Sequence, residues 1–237
     1  MDSKKIAVVL EERFKRLPNG DIFSPSGFGD GFWTRYCNVF DNVIVIARVE
    51  DVYHPNDSWS KVSQTNVTFI GIHSYVGLGQ LLASLPSVIK SISRATNGID
   101  AFILRLPGTL ATMMIPHLVG FSSKKYFAVE LVGDPVDVFK AGIAGKLGPV
   151  IGGVFAMSTK FLCMRAEAVS YVTEHTLQQR YPSDVNSLSM SFSSVELHQN
   201  DYVRCPRSIS PSGTLKLLCV ASLEVPYKGI DILISAV

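Results

Sequence analysis

Short apolar runs rich in β-branched residues recur along this chain, each separated from the next by other patterns, most of them helical. The runs cover residues 5–10 (KIAVVL), 43–47 (VIVIA), 67–72 (VTFIGI), 101–104 (AFIL), 126–131 (YFAVEL) and 170–173 (SYVT). Helical patterns are expected over 31–40, 79–95, 109–119 and 158–168. Strands that are apolar on both faces and spaced by helices form a parallel sheet covered by helices on both sides. Ligands of such sheets bind beyond the carboxyl ends of the strands. The segment "SLSMSFSSVEL" at 187–197 can hold one more strand.

Composition narrows the function classes. Of 237 residues 47% are hydrophobic and 18% charged, as in a globular chain with a substantial core rather than a disordered one. Basic and acidic residues number 22 and 20, a balance that argues against nucleic acid as a partner. Cys37, Cys163, Cys205 and Cys219 form no CxxC pair or zinc-type spacing, and read as thiols in a reducing compartment. The N-terminal MDSKKIAVVLEE has too short an apolar run for a signal peptide, so a cytoplasmic location is expected. Two uncharged stretches, 62–89 and 106–123, are interrupted by polar residues, proline or glycine and are poor candidates for a membrane span.

One segment breaks the alternation. After the first strand comes "RFKRLPNGDIFSPSGFGDGFW", in which Asn19-Gly20 is a two-residue hairpin signal with arms over 14–17 and 21–24. Gly27, Gly29 and Gly31 then form a loop before the next helix, read either as turn residues or as backbone that approaches a bound group. The dinucleotide fingerprint G-x-G-x-x-G is absent. Further on, Pro182 to Gly213 shifts toward serine and proline, and residues 196–213 read as a linker. A fresh strand is expected at 215–220. After it Lys228-Gly229 opens a helix with Ile230, Leu233, Ile234 and Val237 at i, i+3, i+4 and i+7.

This order of motifs resembles the two-domain GT-B glycosyltransferases, specifically the retaining family four, or group 1, enzymes of bacterial polysaccharide assembly. The residues that carry it are the R-F…G hairpin, "GFWTRYCNVFDNVIVIARV", "VELVGDPVDVF" and "SLEVPYKGIDILISA". The resemblance implies a Rossmann-like acceptor-side domain over 1–195, a linker over 196–213 and, over 214–237, the start of a donor-side domain truncated early. It implies a nucleotide-sugar donor, a glycan or lipid-linked saccharide acceptor, and no obligate metal or other cofactor. A chain cut at that point is expected to be inactive alone.

The same resemblance assigns Lys228 and Gly229 to the donor diphosphate, since a cation beside a helix N-terminus attracts phosphate and glycine lets the backbone approach. Ser222 stands where many relatives carry an arginine. Gly27, Gly29 and Asp30 match the loop that faces the acceptor cleft, although Asp30 also reads as a helix cap. Glu130 and Asp134 lie where the fifth strand meets the cleft and are the candidate catalytic carboxylates; the histidine many relatives place there is absent. Phe32, Trp33 and Tyr36 read as core, His117 as a satisfied interior histidine, and Thr173 or Glu174 as the cap of a helix near His175. A peripheral membrane contact is expected at the hairpin, where Arg13, Lys15, Arg16 and Arg35 stand beside Phe14, Phe28, Phe32 and Trp33. On the residues alone the competing reading is a non-catalytic Rossmann-like binding or interaction domain.

Overall fold

The computed structural model describes residues 4–120, 125–139, 145–195, 199–203, 205, 217–220 and 229–237. The elements run β1 (Lys5–Arg16), β2 (Ile22–Ser24), α1 (Asp30–Cys37), β3 (Asn42–Asp51), β4 (Ser60–Val62), β5 (Val67–His73), α2 (Gly77–Thr96), β6 (Ala101–Leu106), α3 (Thr109–Leu118) and β7 (Tyr126–Leu131). They continue with α4 (Pro135–Val138), α5 (Gly148–Arg165), β8 (Ala168–Tyr171), α6 (Thr176–Arg180), β9 (Leu188–Ser191) and α7 (Ile230–Ala236).

The sheet is built on a parallel run in the order β5-β3-β1-β6-β7-β8-β9. Numbered along the chain, that run reads 3-2-1-4-5-6-7, which contains the Rossmann order and reverses direction between β1 and β6. β1 over residues 6–10 and β3 over 43–47 are buried on both faces because their side chains are apolar at every position there. Ala7, Val9, Ile44 and Ile46 join one core with Val88 and Ile92 of α2, Leu110 and Met114 of α3, and Leu162 of α5. Ile6, Val8, Val43 and Val45 join a second core with Trp33 and Tyr36 of α1. Helices therefore cover both faces: α1 one, and α2, α3 and α5 the other. Burying a side chain of this size contributes roughly 1.5–3 kcal/mol, so the sheet and its two layers hold each other in place.

Two local expectations change, and one strand is added. The hairpin is not a two-residue turn: Gly20 N–H donates to Leu17 O and Leu17 N–H to Asp21 O, at 2.9 Å each. Pro18 fixes φ for the first turn position, and only Gly20, at φ 90°, takes the left-handed conformation. β2 then pairs on its far side with β4, whose residues Ser-Lys-Val carry no apolar pattern to announce them. The helix expected over 158–168 starts ten residues earlier. Gly152 disguises its first half and has a structural use there: a Cβ on it would stand 3.2 Å from Phe139 Cβ, so α5 and the end of α4 approach closely.

At the C-terminus, residues 217–220 pair with no strand among the described residues, and Leu217, Leu218 and Val220 are exposed. An extended segment without a partner has no ladder to hold it. The helix after Gly229 does form. Ile234 and Val237 are exposed on it, while Ile230 and Leu233 are half-buried.

Candidate functional site

The strand order puts the crevice at the carboxyl ends of β1 and β6. β1 opens it with a bulge. Val9 pairs with Ile46 and the next pair is Arg13 with Arg48, so Leu10, Glu11 and Glu12 stand against Ala47 alone. β6 follows β1 only over Ala7–Val9. In the bulge, the Glu11 carboxylate accepts a hydrogen bond from Leu110 N–H (3.1 Å) in the first turn of α3, where a helix N-terminus attracts negative charge. It also accepts from Tyr75 Oη (3.3 Å) and pairs with Arg48 Nη2 (3.2 Å). Arg48 lies over the Tyr75 ring, 4.7 Å from its centroid, and donates to Tyr75 O at 2.9 Å. Its Nε is buried without a hydrogen-bond partner among the described residues. Burial, and next the Glu11 charge, push the Tyr75 hydroxyl well above its usual range, so it stays a donor.

Glu12 is buried and accepts from Ser24 Oγ (3.2 Å), which in turn accepts from Phe28 N–H (2.9 Å) and Ser26 N–H (3.2 Å). That relay shapes the glycine loop. Sequence reading passed over both glutamates. The available signal was Phe14, fully buried beyond them: acids inside a run that resumes its apolar character belong to the strand.

Gly27 takes a left-handed φ of 86°, and a Cβ on Gly29 would stand 2.8 Å from Ser60 Cβ, so the loop needs glycine at both positions. Gly29, not Asp30, is the N-cap residue of α1. The Asp30 carboxylate instead accepts from the N–H groups of Ser63 (2.6 Å) and Gln64 (3.2 Å), fastening α1 to the chain after β4. Trp33 and Tyr36 are buried and Phe32 packs against the same core, as expected.

Glu130 lies on β7 in register with Arg105 on β6. It accepts from Tyr36 Oη at 2.9 Å and from Arg105 Nη1 at 2.7 Å, with Arg35 Nη2 at 3.3 Å. Arg105 sits 5.1 Å from the Phe32 ring centroid and Arg35 sits 4.3 Å from it. One carboxylate thus joins α1, β6 and β7. Burial, followed by the Glu130 charge, raises the Tyr36 hydroxyl far above its usual range.

Asp134 caps α4 by accepting from Val136 N–H (2.8 Å), accepts from Tyr181 Oη (2.8 Å), and pairs with Arg180. It borders a cavity of about 400 Å³ with Lys160 and Met157. Burial alone would raise this carboxyl, but the hydrogen bonds from Arg180, Tyr181 and Val136 outweigh it and hold the carboxyl below the usual carboxylate range. A depressed folded value gives stability that is present above the unfolded value and lost as pH falls through the folded one. Asp134→Asn should therefore lower the thermal midpoint at neutral pH, and the gap to wild type should close on acidification. A melting series across pH checks this; a gap independent of pH would contradict it.

Glu130 and Asp134 belong to separate clusters, with no shared partner. Gly229 heads α7 at φ 65°, whereas Lys228 lies outside the described residues. His175, not Thr173 or Glu174, is the N-cap residue of α6, although Thr173 Oγ1 accepts from Leu177 N–H (3.0 Å). His117 departs from expectation: its Nδ1 is buried and without a hydrogen bond among the described residues. The four cysteines are free, and burial pushes the Cys163 thiol up to about 12. Among the described residues no group of three His, Cys, Asp or Glu could hold a metal ion, and no helix is long and apolar enough to cross a membrane. The hairpin does not present the basic-aromatic surface expected of it. Phe14 and Trp33 are fully buried, and Lys15, Arg16 and Arg35 pair with Glu50, Asp51 and Glu130.

No known protein family, compared as a sequence profile, matches the chain. Protein CapJ of Staphylococcus aureus is 22% identical over 224 residues, covering 92% of this chain and 53% of that protein. The chain thus spans about half the length of this curated relative. Among solved structures, a fragment of sucrose-phosphate synthase from Thermosynechococcus elongatus is 11% identical with a TM-score of 0.41, covering 84% of this chain and 92% of the fragment. Arabidopsis thaliana UGT89C1, solved with UDP-L-rhamnose, is 8% identical with a TM-score of 0.42, covering 85% of this chain and 51% of that one.

Proposed function

We propose that this chain is the acceptor-side part of a retaining, nucleotide-sugar-dependent glycosyltransferase of GT-B architecture that assembles a bacterial surface polysaccharide in the cytoplasm. The observation that carries the reading is the filled N-terminus of α3. In an open α/β sheet a helix N-terminus at the switch point can receive an anionic group of the ligand. Here the chain's own Glu11 takes that place, hydrogen-bonded to Leu110 N–H. The crevice repels a phosphate but suits a hydroxyl-rich ligand, which carboxylates and guanidiniums recognise by hydrogen bonds. The acceptor sugar binds there, beneath the loop of Gly27, Gly29 and Asp30.

In this reading the acceptor domain covers 1–195, a linker 196–213, and the donor side begins at 214. Lys228 and Gly229 meet the donor diphosphate, and a complete donor-side domain grips the base and the sugar. Closure of the two domains aligns donor and acceptor and excludes water. No metal is required, because the lysine and helix N-termini offset the charge of the leaving diphosphate.

A second reading, a non-catalytic interaction domain, draws on the engagement of Glu130 and Asp134 in ion pairs and a helix cap. Calorimetric titration separates the two. The 237-residue chain should bind UDP-hexoses more weakly than millimolar, since one exposed lysine–phosphate contact contributes about 1 kcal/mol and millimolar affinity needs about 4 kcal/mol. It should nevertheless take up an oligosaccharide acceptor, with perturbation of amides near Glu11 and Gly27. No uptake of any saccharide would favour the interaction domain.

A further inference from the structure

The helix α5 exposes its large apolar side chains at one regular spacing. Leu147 at its N-cap, then Val150, Val154, Met157, Phe161 and Met164, stand 3, 4, 3, 4 and 3 residues apart. All are exposed, from 38% for Phe161 to 76% for Met157. That alternation is the a/d pattern of a heptad, the seam along which one helix lies on another. At 100° per residue the six fall within a stripe of about 100°. The buried Gly152, Thr159 and Cys163 lie on the opposite side of the helix.

Gly153 borders this stripe and points to the same contact. Glycine weakens a helix interior. The fold itself requires its neighbours: a Cβ on Gly148 would stand 2.6 Å from Phe139 O, and one on Gly152 3.2 Å from Phe139 Cβ. A Cβ on Gly153 would meet nothing within 4 Å. Gly153 is exposed, so its lack of a side chain serves an approach from outside the described fold.

The partner that fits is a second copy of the same helix. Two α5 helices laid antiparallel, with a twofold axis between Val154 and Met157, pair Leu147 with Met164, Val150 with Phe161 and Val154 with Met157, each pair occurring twice. No seam residue is left over. In that register Lys160 of each copy falls beside Gly153 of the other rather than beside its own mate, so the glycine leaves room for the lysine stem and like charges stay apart. Lys160 makes no ion pair among the described residues. The Asp137 carboxylate, 63% exposed, borders the same flank with Met157 and offers that lysine a counter-charge. We propose that this protein forms a twofold dimer through antiparallel α5 helices. The dimer does not rest on the reaction assigned to the crevice.

Sedimentation equilibrium of the 237-residue chain tests this. Wild type should show a concentration-dependent monomer–dimer equilibrium. Met157→Glu and Val154→Glu should each weaken it about tenfold or more, whereas Val185→Glu, at a 95% exposed position away from α5, should not. Gly153→Leu should weaken it to a similar degree while leaving the melting midpoint of the diluted monomer unchanged or higher, an effect that a purely structural role for Gly153 would not give. A short bismaleimide should link Val150→Cys to Phe161→Cys when the two variants are mixed, and neither variant to itself, above the background of the native cysteines. A chain that stays monomeric at every concentration would overturn the proposal, as would a dimer indifferent to Met157→Glu or Val150→Cys linking to itself. So would a monomer that floats on lipid vesicles through Met157, or a dimer lost when the chain is continued through a donor-side domain, since the seam would then belong to a bilayer or to the rest of the chain.

Discussion

Glu130→Ala should lower the unfolding free energy by about 3 kcal/mol, because it leaves buried charge without its partner. The Glu130 side chain is 15% exposed and that of Arg105 11%. Replacing the carboxylate strands the Arg105 guanidinium against the Phe28 and Phe32 rings and removes the acceptor of the Tyr36 hydroxyl. Arg35 is more exposed and contributes less, since water screens it. For a chain of this size the loss corresponds to a fall of roughly 6–12 °C in the thermal midpoint. Glu130→Gln should cost less, since it keeps an acceptor for Tyr36. Joint replacement of Glu130 and Arg105 by apolar residues should recover part of the loss, as no charge is then left buried alone. A midpoint for Glu130→Ala within a degree of wild type would show that the cluster does not hold α1 on the sheet.

The second large effect concerns Lys228. In the proposed reading, its contact with phosphate in the open chain is worth little. On that proposal, a closed two-domain cleft lowers the effective dielectric, and the same cation would face charge that grows on the leaving diphosphate. Lys228→Ala in a chain continued through a complete donor-side domain should therefore lower kcat/KM about a hundredfold, comparable to loss of one transition-state donor elsewhere. Lys228→Arg should retain more activity than alanine, since the charge survives although the geometry differs.

The sheet was legible in the sequence because its strands are buried on both faces: 43–47 is apolar at every position, and all five residues are buried. β4 was not legible, since Ser60, Lys61 and Val62 are held by pairing with β2 and not by an apolar face of their own. The same limit applies to the candidate site. Gly27 and Gly29 announce a loop, and the structure supplies the reasons, a left-handed φ and the approach of Ser60. Glu11 could not be placed, because its partners Arg48, Tyr75 and Leu110 arrive from β3, the loop after β5 and α3. Asp134 meets an arginine 46 residues away for the same reason. Local spacing identifies elements; the ion pairs that join them depend on strand order and on a bulge that no local pattern encodes.

Sugar transfer from a nucleotide-activated donor, measured side by side on the 237-residue chain, on the chain continued through a complete donor-side domain, and on that longer chain with Lys228→Ala, tests the glycosyltransferase reading most directly. The expected result is no transfer by the first, turnover by the second and a loss of about a hundredfold in the third. Transfer by the 237 residues alone would contradict it, as would a longer chain indifferent to Lys228→Ala.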